Sequence, residues 1–405
     1  MAKNPTTSMC GIRVEASDAT DTARAVDELR AALAGSFQHI IVFFSVHHDA
    51  QELARCLSAS FPGTPICGCS TAGEITPFGM TEGSVLAVAF PHEGFRVKAD
   101  VIEDIDHFGI ERAGPIVRRL KSSLGISQTG SGQRSRAFAL MLVDGLSNRE
   151  EMLVAAVHGV IDDVQLLGGS AGDGLGFDRT FLLHNGRVLT RAAILIMVET
   201  SVPFRVFKTQ NFEPTQIKLV VTAADPENRI VSELNAEPAA REYAAAIGLL
   251  PDDLGPFSFA SFPLVVKVGG DYYCRSIRNM NPDGSLSFFC AIDEGLVFTV
   301  ARPQDILRST ASRLAEIDAE LGGLDLVIGF DCMLRRLDAE NRQIRRQMEE
   351  LYQRNRIVGF HTYGEQFNAM HLNQTLTGIA FGRAGDAALP CAPGEPTPRP
   401  DEDAP

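Results

Sequence analysis

The chain has 405 residues, 45% hydrophobic and 22% charged, enough to fill more than one hydrophobic core. Its formal net charge of -14 at pH 7 argues against a nucleic-acid backbone as partner, which calls for a basic stripe. The longest apolar run, AAILIMV at 192–198, is far short of the ~20 residues of a membrane span, and MAKNPTTSMCG holds no signal-peptide core, so a cytoplasmic location is expected.

Residues 1–20 are expected as a tail. HIIVFFSV (39–46) is a continuous apolar run that reads as a strand, DAQELARCLSASF follows at helical spacing, and TPICGCSTAGEI (64–75) is a second strand running into a turn closed by Glu74. GSVLAVAFPHEGFRVKADV (83–101) adds an apolar strand, a turn and another strand, and SQTGSGQRSR (127–136) reads as a flexible loop. The order then returns. RAFALMLVD (136–144) is a strand, Ser147 or Asn148 can cap the helix EEMLVAAVHGVID, and VQLLGGSAGDG is the second strand with its turn. RAAILIMVETSVPFRVFKTQ (191–210) parallels 83–101 down to the shared triplet FRV. Residues 257–300, with the turn NPDG at 281–284, predict hairpins. The order returns again as LDLVIGF (324–330), one long helix to about Arg354, RIVGFHTYGEQ, and the strand NQTLTGIAFG. Leu337, Ile344, Met348 and Leu351 give that helix a narrow apolar stripe, as expected of a surface helix. The tail 384–405, rich in Pro, Ala, Asp and Glu, is expected to be disordered.

The repeat sets the fold class: α/β, with strand-helix-strand units forming mixed, largely parallel sheets covered by helices, plus hairpins. The units 39–74, 136–173 and 324–365 are expected to superimpose, with Glu74, Asp173 and Glu365 in like positions.

Glycine at both ends of each turn allows positive φ and close approach, so the turns are the leading binding candidates. They comprise Gly68, Cys69, Ser70, Thr71, Gly73 and Glu74; Gly169, Ser170, Gly172 and Asp173; and Thr362, Tyr363, Gly364 and Glu365. The competing reading is structural, with each acid capping local backbone N–H groups. Arg275 or Arg278 could join the turns in holding a ligand carboxylate. Enzyme motifs do not hold together. Residues 168–172 spell G-x-S-x-G, but DGLGFDRTFLLHNGR after them reads as loop and strand where a nucleophile elbow needs a helix. Cys69 or Ser70 with His47, His48 or His361 as base would make a transferase or hydrolase, yet no spacing demands it. There is no P-loop, and no catalytic residue is assigned. The eight cysteines are scattered and read as reduced thiols, with Cys67 and Cys69 as core-facing residues of a strand.

In order, GCSTAGEI, LLGGSAGDG, GFDCMLRR, GFHTYGEQ and NQTLTG resemble the two halves of the FIST sensory-domain family, over about residues 20–383. The resemblance implies an N-terminal FIST domain over 21–225, a C-terminal one over 226–383, and a non-enzymatic signal-input module for a small metabolite. With no output signature after residue 383, its signal is expected to leave through a partner enzyme. The chain further resembles the haem-binding, nitric-oxide-sensing members, which implies haem b as cofactor, nitric oxide as ligand, and a histidine kinase or cyclic-di-GMP enzyme as partner. On that reading His371 ranks first as axial ligand and His361 second, with Asn373, Gln374 or a carbonyl accepting from the free Nδ1–H. His47, His48, His184 and Cys332 follow; His39, His92 and His107 are expected to be solvated, and His158 to be a core or interface residue.

Overall fold

A computed structural model describes residues 6–126, 136–268 and 270–383. The loop expected over 127–136, Arg136 apart, and the tail expected over 384–405 lie outside the described residues.

The chain repeats one β-α-β-α-β-hairpin-β unit three times. After a two-residue strand β1 (Thr6–Thr7), the first unit runs β2 (Arg13–Ser17), α1 (Thr22–Ala32), β3 (His39–Phe44), α2 (Ala50–Ser60), β4 (Ile66–Ser70), the hairpin β5 (Glu74–Thr76) and β6 (Gly79–Thr81), and β7 (Val85–Phe90). Residues 13–17, read above as part of a tail, are thus a sheet strand. The second runs β8 (Phe95–Ile102), α3 (Ile110–Leu124), β9 (Ala137–Val143), α4 (Glu150–His158), β10 (Gln165–Ser170), β11 (Leu182–His184), β12 (Arg187–Leu189) and β13 (Ala193–Thr200).

The third unit is interrupted after β14 (Phe204–Gln210) by an insertion: β15 (Phe212–Asp225), β16 (Ile230–Leu234), β17 (Glu237–Pro238), α5 (Ala239–Ile247), α6 (Pro256–Ser261), β18 (Leu264–Val268), β19 (Asp271–Arg275), β20 (Ile277–Met280), β21 (Leu286–Phe288) and β22 (Val297–Pro303). It resumes with α7 (Ile306–Leu321), β23 (Leu324–Cys332), α8 (Met333–Asn341), α9 (Arg345–Arg354), β24 (Ile357–Thr362), β25 (Glu365–Phe367), β26 (Met370–Leu372) and β27 (Thr375–Gly382). The boundary expected between residues 225 and 226 falls inside the insertion, at the end of β15.

The hairpins are exchanged cyclically. β11–β12 extends the first unit's sheet, β25–β26 the second's, and β5–β6 the third's. The sheets are mixed, as expected, but largely antiparallel where largely parallel ones were expected: each unit has one parallel pair, β3–β4, β9–β10 and β23–β24, and its outer strands and hairpins return antiparallel. Their central strands are continuous apolar runs because both faces are buried. In β3, Ile40, Val42 and Phe44 face α1 and α2, while Ile41 and Phe43 enter a core shared by all three sheets, with Leu140 and Leu142 of β9 and Ile328 and Phe330 of β23. There the Phe43 and Phe360 rings lie 4.7 Å apart, within the range of favourable offset contacts.

Register aligns the units residue by residue. Val42 pairs with Gly68, Met141 with Gly168 and Gly329 with Gly359. A Cβ on Gly68, Gly168 or Gly359 would stand 1.9, 2.0 and 1.9 Å from the partner's carbonyl oxygen. Counting on, Thr71, Ala171 and Thr362 are equivalent, and so are Glu74, Gly174 and Glu365. The expected equivalence of Asp173 therefore fails. Glu74 and Glu365 each open a hairpin strand, whereas Asp173 lies in a loop one position earlier, because the second unit has alanine and glycine in place of the Thr–Glu pair.

The single long surface helix expected before Arg354 is also corrected. It is α8 and α9, broken where Gln343 takes φ +58°, and α8 is buried. Arg335 is drawn fully inside by Asp331 (2.6 Å), Asn211 (2.6 Å) and Thr310 (3.0 Å).

Candidate functional site

The three turns meet, as the repeat implies. A Cβ on Gly172 would lie 3.0 Å from both Ala72 and the Tyr363 ring, the residues at its own position in the other units. Their backbone groups satisfy one another: Ala72 N donates to His361 O (2.9 Å), His361 N to Gly73 O (2.8 Å), Gly172 N to Ser70 O (3.1 Å) and Ser170 N to Gly364 O (2.8 Å). Here the glycines serve close crossing. Gly73, at φ +125°, would bring a Cβ to 2.5 Å from Arg336, and a Cβ on Gly364 would reach 2.2 Å from His371.

Two of the acids are latches. Glu74 accepts from Thr71 Oγ1 (2.5 Å), Ser84 N (3.1 Å) and Ser84 Oγ (2.9 Å). Glu365 repeats this with Thr362 Oγ1 (2.5 Å), Thr375 N (3.2 Å) and Thr375 Oγ1 (2.6 Å). Burial pushes both carboxyls up, Glu365 to about 8, against these hydrogen bonds. Asp173 differs: although burial opposes it, the Tyr363 hydroxyl and the N–H groups of Phe177, Asp178 and Arg179 hold it below the ordinary range.

Cys69 lies in the shared core and burial raises its thiol well above the ordinary value, which disfavours the thiolate a Cys69 nucleophile needs. His39, expected to be solvated, is buried with Nε2 3.0 Å from Cys67 Sγ, because β3 begins inside the sheet.

The remaining sequence-predicted residues gather where the insertion packs on the turns. Tyr363 contacts Phe177 (ring centroids 4.8 Å apart) and Phe289 of the insertion (6.1 Å). Beside it the β25–β26 hairpin and the residue that follows it carry three buried side chains, each with an orphaned polar atom: Gln366 Oε1, His371 Nε2 and Asn373 Oδ1. Gln366 Nε2 donates to Ser170 Oγ (3.0 Å) and Asn373 Nδ2 to Tyr363 O (3.2 Å), so the hairpin is anchored while those atoms stay unmatched. Burial, with Arg229 and Arg275 adding and Glu151 opposing, lowers His371 to about 4, leaving a neutral imidazole.

On the insertion side Arg229 is buried and ion-paired to Glu150 (2.9 Å) and Glu151 (2.5 Å) of α4. Arg275 and Arg278 are half-buried and find only neutral acceptors among the described residues, Cys274 O (3.2 Å) and Asn279 Oδ1 (3.2 Å). Sequence reasoning missed Gln366, Arg229, Glu150 and Glu151. Gln366 adjoins a motif acid and was within reach, but the Arg229 pairs span 78 and 79 residues and leave no spacing to read.

The histidines fit a haem only in part. His371 and His361 are neutral imidazoles with unpartnered nitrogens, as an axial ligand requires. The space does not fit. His371 packs on Gly364 and Asn373, and His361 is fully buried against Gly73, with Nδ1 3.6 Å from Asp331, beyond hydrogen-bond reach. Cavities of about 280 and 380 Å³ lie instead beside His47 and His48 and beside His184.

Among known proteins, residues 38–237 match the FIST N domain and residues 239–368 the FIST C domain. The chain is 23% identical over 382 residues to the uncharacterized protein MJ1623 of Methanocaldococcus jannaschii, covering 84% of this chain and 73% of that one.

Proposed function

This chain belongs to the FIST family, whose domains are sensory, ligand-binding modules of signal transduction, and from that premise we propose that it senses a small carboxylate metabolite at the seam between the insertion and the turns. One observation carries the reading. Two half-buried guanidinium groups without a carboxylate lie on the insertion side, and three orphaned polar atoms lie on the hairpin side. A carboxylate takes guanidinium N–H groups in charge-assisted pairs, and Gln366 Oε1 and Asn373 Oδ1 are acceptors for an amine or hydroxyl on the same molecule. An amino-acid-like ligand has both. Its binding would bear on how the insertion sits on α4, and the signal passes to a partner enzyme of the histidine-kinase or cyclic-di-GMP class.

Calorimetric titration of the full chain with a panel of amino and hydroxy acids tests this. At least one should bind, and Arg275→Ala and Arg278→Ala should each weaken it about tenfold or more, the scale of a lost charge-assisted hydrogen bond. A panel without a binder, or binding that both variants leave intact, sinks the reading. Haem titration followed at the Soret band is the parallel measurement. A band that His371→Ala or His361→Ala abolishes would replace the carboxylate with haem.

A further inference from the structure

The threefold repeat allows one crevice to be compared at three positions. Val85 and Ala193 occupy the same register against β3 and β9, opposite Phe44 and Val143, so the residues two places earlier, Gly83 and Arg191, are equivalent. By the Glu74 and Glu365 latches Gln374 is the third. All three are left-handed, at φ +107°, +46° and +56°.

In two units this position supplies an N–H-rich side chain that reaches acceptors beside it, largely exposed for Arg191 and buried for Gln374. Arg191 forks onto Asp106, with Nε at 3.2 Å from Oδ2 and Nη2 at 2.6 and 2.7 Å from the two oxygens. Gln374 Nε2 donates to the carbonyls of Phe259 (3.3 Å) and Ala260 (3.0 Å) in α6. In the first unit Gly83 has no side chain, and a cavity of about 280 Å³ stands in its place, lined by Asp18, Thr20, His47, Thr81 and Glu82 among others.

We propose that this cavity binds a small organic cation of the guanidinium class, which takes the place that the Arg191 guanidinium holds on its carboxylate in the second unit. The polar lining is acceptor-rich. Asp18 meets no cation among the described residues, and Glu82 reaches Arg336 at 3.1 Å. His48 donates from Nε2 to Gly83 O (3.2 Å), with Nδ1 3.2 Å from the Thr22 hydroxyl, and burial holds its pKa below the ordinary value. The N-termini of α1 and α2 are already capped by the carboxylates of Asp21 and Asp49, so they do not call for an anion. A metal is the weaker occupant, since no three metal-ligating side chains converge among the described residues. The cavity is small beside the roughly 300–1,000 Å³ of drug-sized sites, which suits a molecule such as methylguanidine or agmatine.

This inference is independent of the carboxylate seam. Calorimetry and thermal-shift measurements on the full chain with agmatine and with methylguanidine should show binding. Asp18→Asn, an exposed change, should weaken it about tenfold, the scale of a lost charge-assisted pair. Gly83→Arg should abolish it by refilling the crevice from within; a Cβ there meets nothing closer than 3.5 Å. Gly83→Asn, which tolerates the left-handed backbone, should fold and still bind. The proposal is overturned if neither cation binds at millimolar concentration, or if Asp18→Asn or a folded Gly83→Arg binds like the wild type.

Discussion

Glu365 shows how far one side chain can be read from its neighbours. Its place after a glycine turn was legible, and so was the role of an acid that bonds locally. The two bonds from Thr375, ten residues on, were not, because they depend on how the β25–β26 hairpin closes. Burial outweighs those donors and pushes the carboxyl to about 8, from an ordinary value of 4.5. The folded state therefore holds a proton that the unfolded chain releases. The stability this contributes is fully present below about pH 4.5 and is lost as pH rises through about 8. Glu365→Gln keeps the shape and removes the titration. Its urea midpoint should gain on the wild type steadily as pH is raised across that window, and parallel curves would show that Glu365 does not titrate there.

At the scale of the element, the mid-strand glycines carry a packing demand. Gly68 has no positive φ to satisfy, so Gly68→Ala isolates the clash of a Cβ with Val42 O at 1.9 Å. Neither strand can yield without breaking the parallel register, and a loss of about 3 kcal/mol is expected, at the upper end for overpacking. Urea denaturation checks it, and a loss below about 0.5 kcal/mol, the scale of a neutral surface change, would refute the role. The same scale explains the misread helix. Its apolar stripe was real, but the pull of Asp331, Asn211 and Thr310 on Arg335 is tertiary, and it turns a charged helix inward.

For the whole molecule, the insertion is held to the repeats by Arg229 between Glu150 and Glu151, in a setting where burial lifts Glu150 to about 7. Arg229→Met leaves buried acids without their cation. At pH 8 the cost should be about 3–5 kcal/mol, as for a broken buried pair. It should shrink toward pH 5 as Glu150 takes up a proton, and hydrogen exchange should rise first across residues 212–303. A variant with unchanged stability at pH 8 would mean that the docking rests on Phe177, Phe289 and Tyr363 instead.

The sequence by itself determined the repeat, the doubly buried strands and the glycine-acid turns, because periodicity and turn chemistry are local and each unit writes them again. The cyclic exchange of hairpins, the loss of the Thr–Glu latch from the second unit's position and the gathering of Arg275, Arg278, Gln366 and His371 were decided only by the tertiary structure. Those contacts join residues far apart in the chain, and nothing in their spacing records which sheet a hairpin will complete.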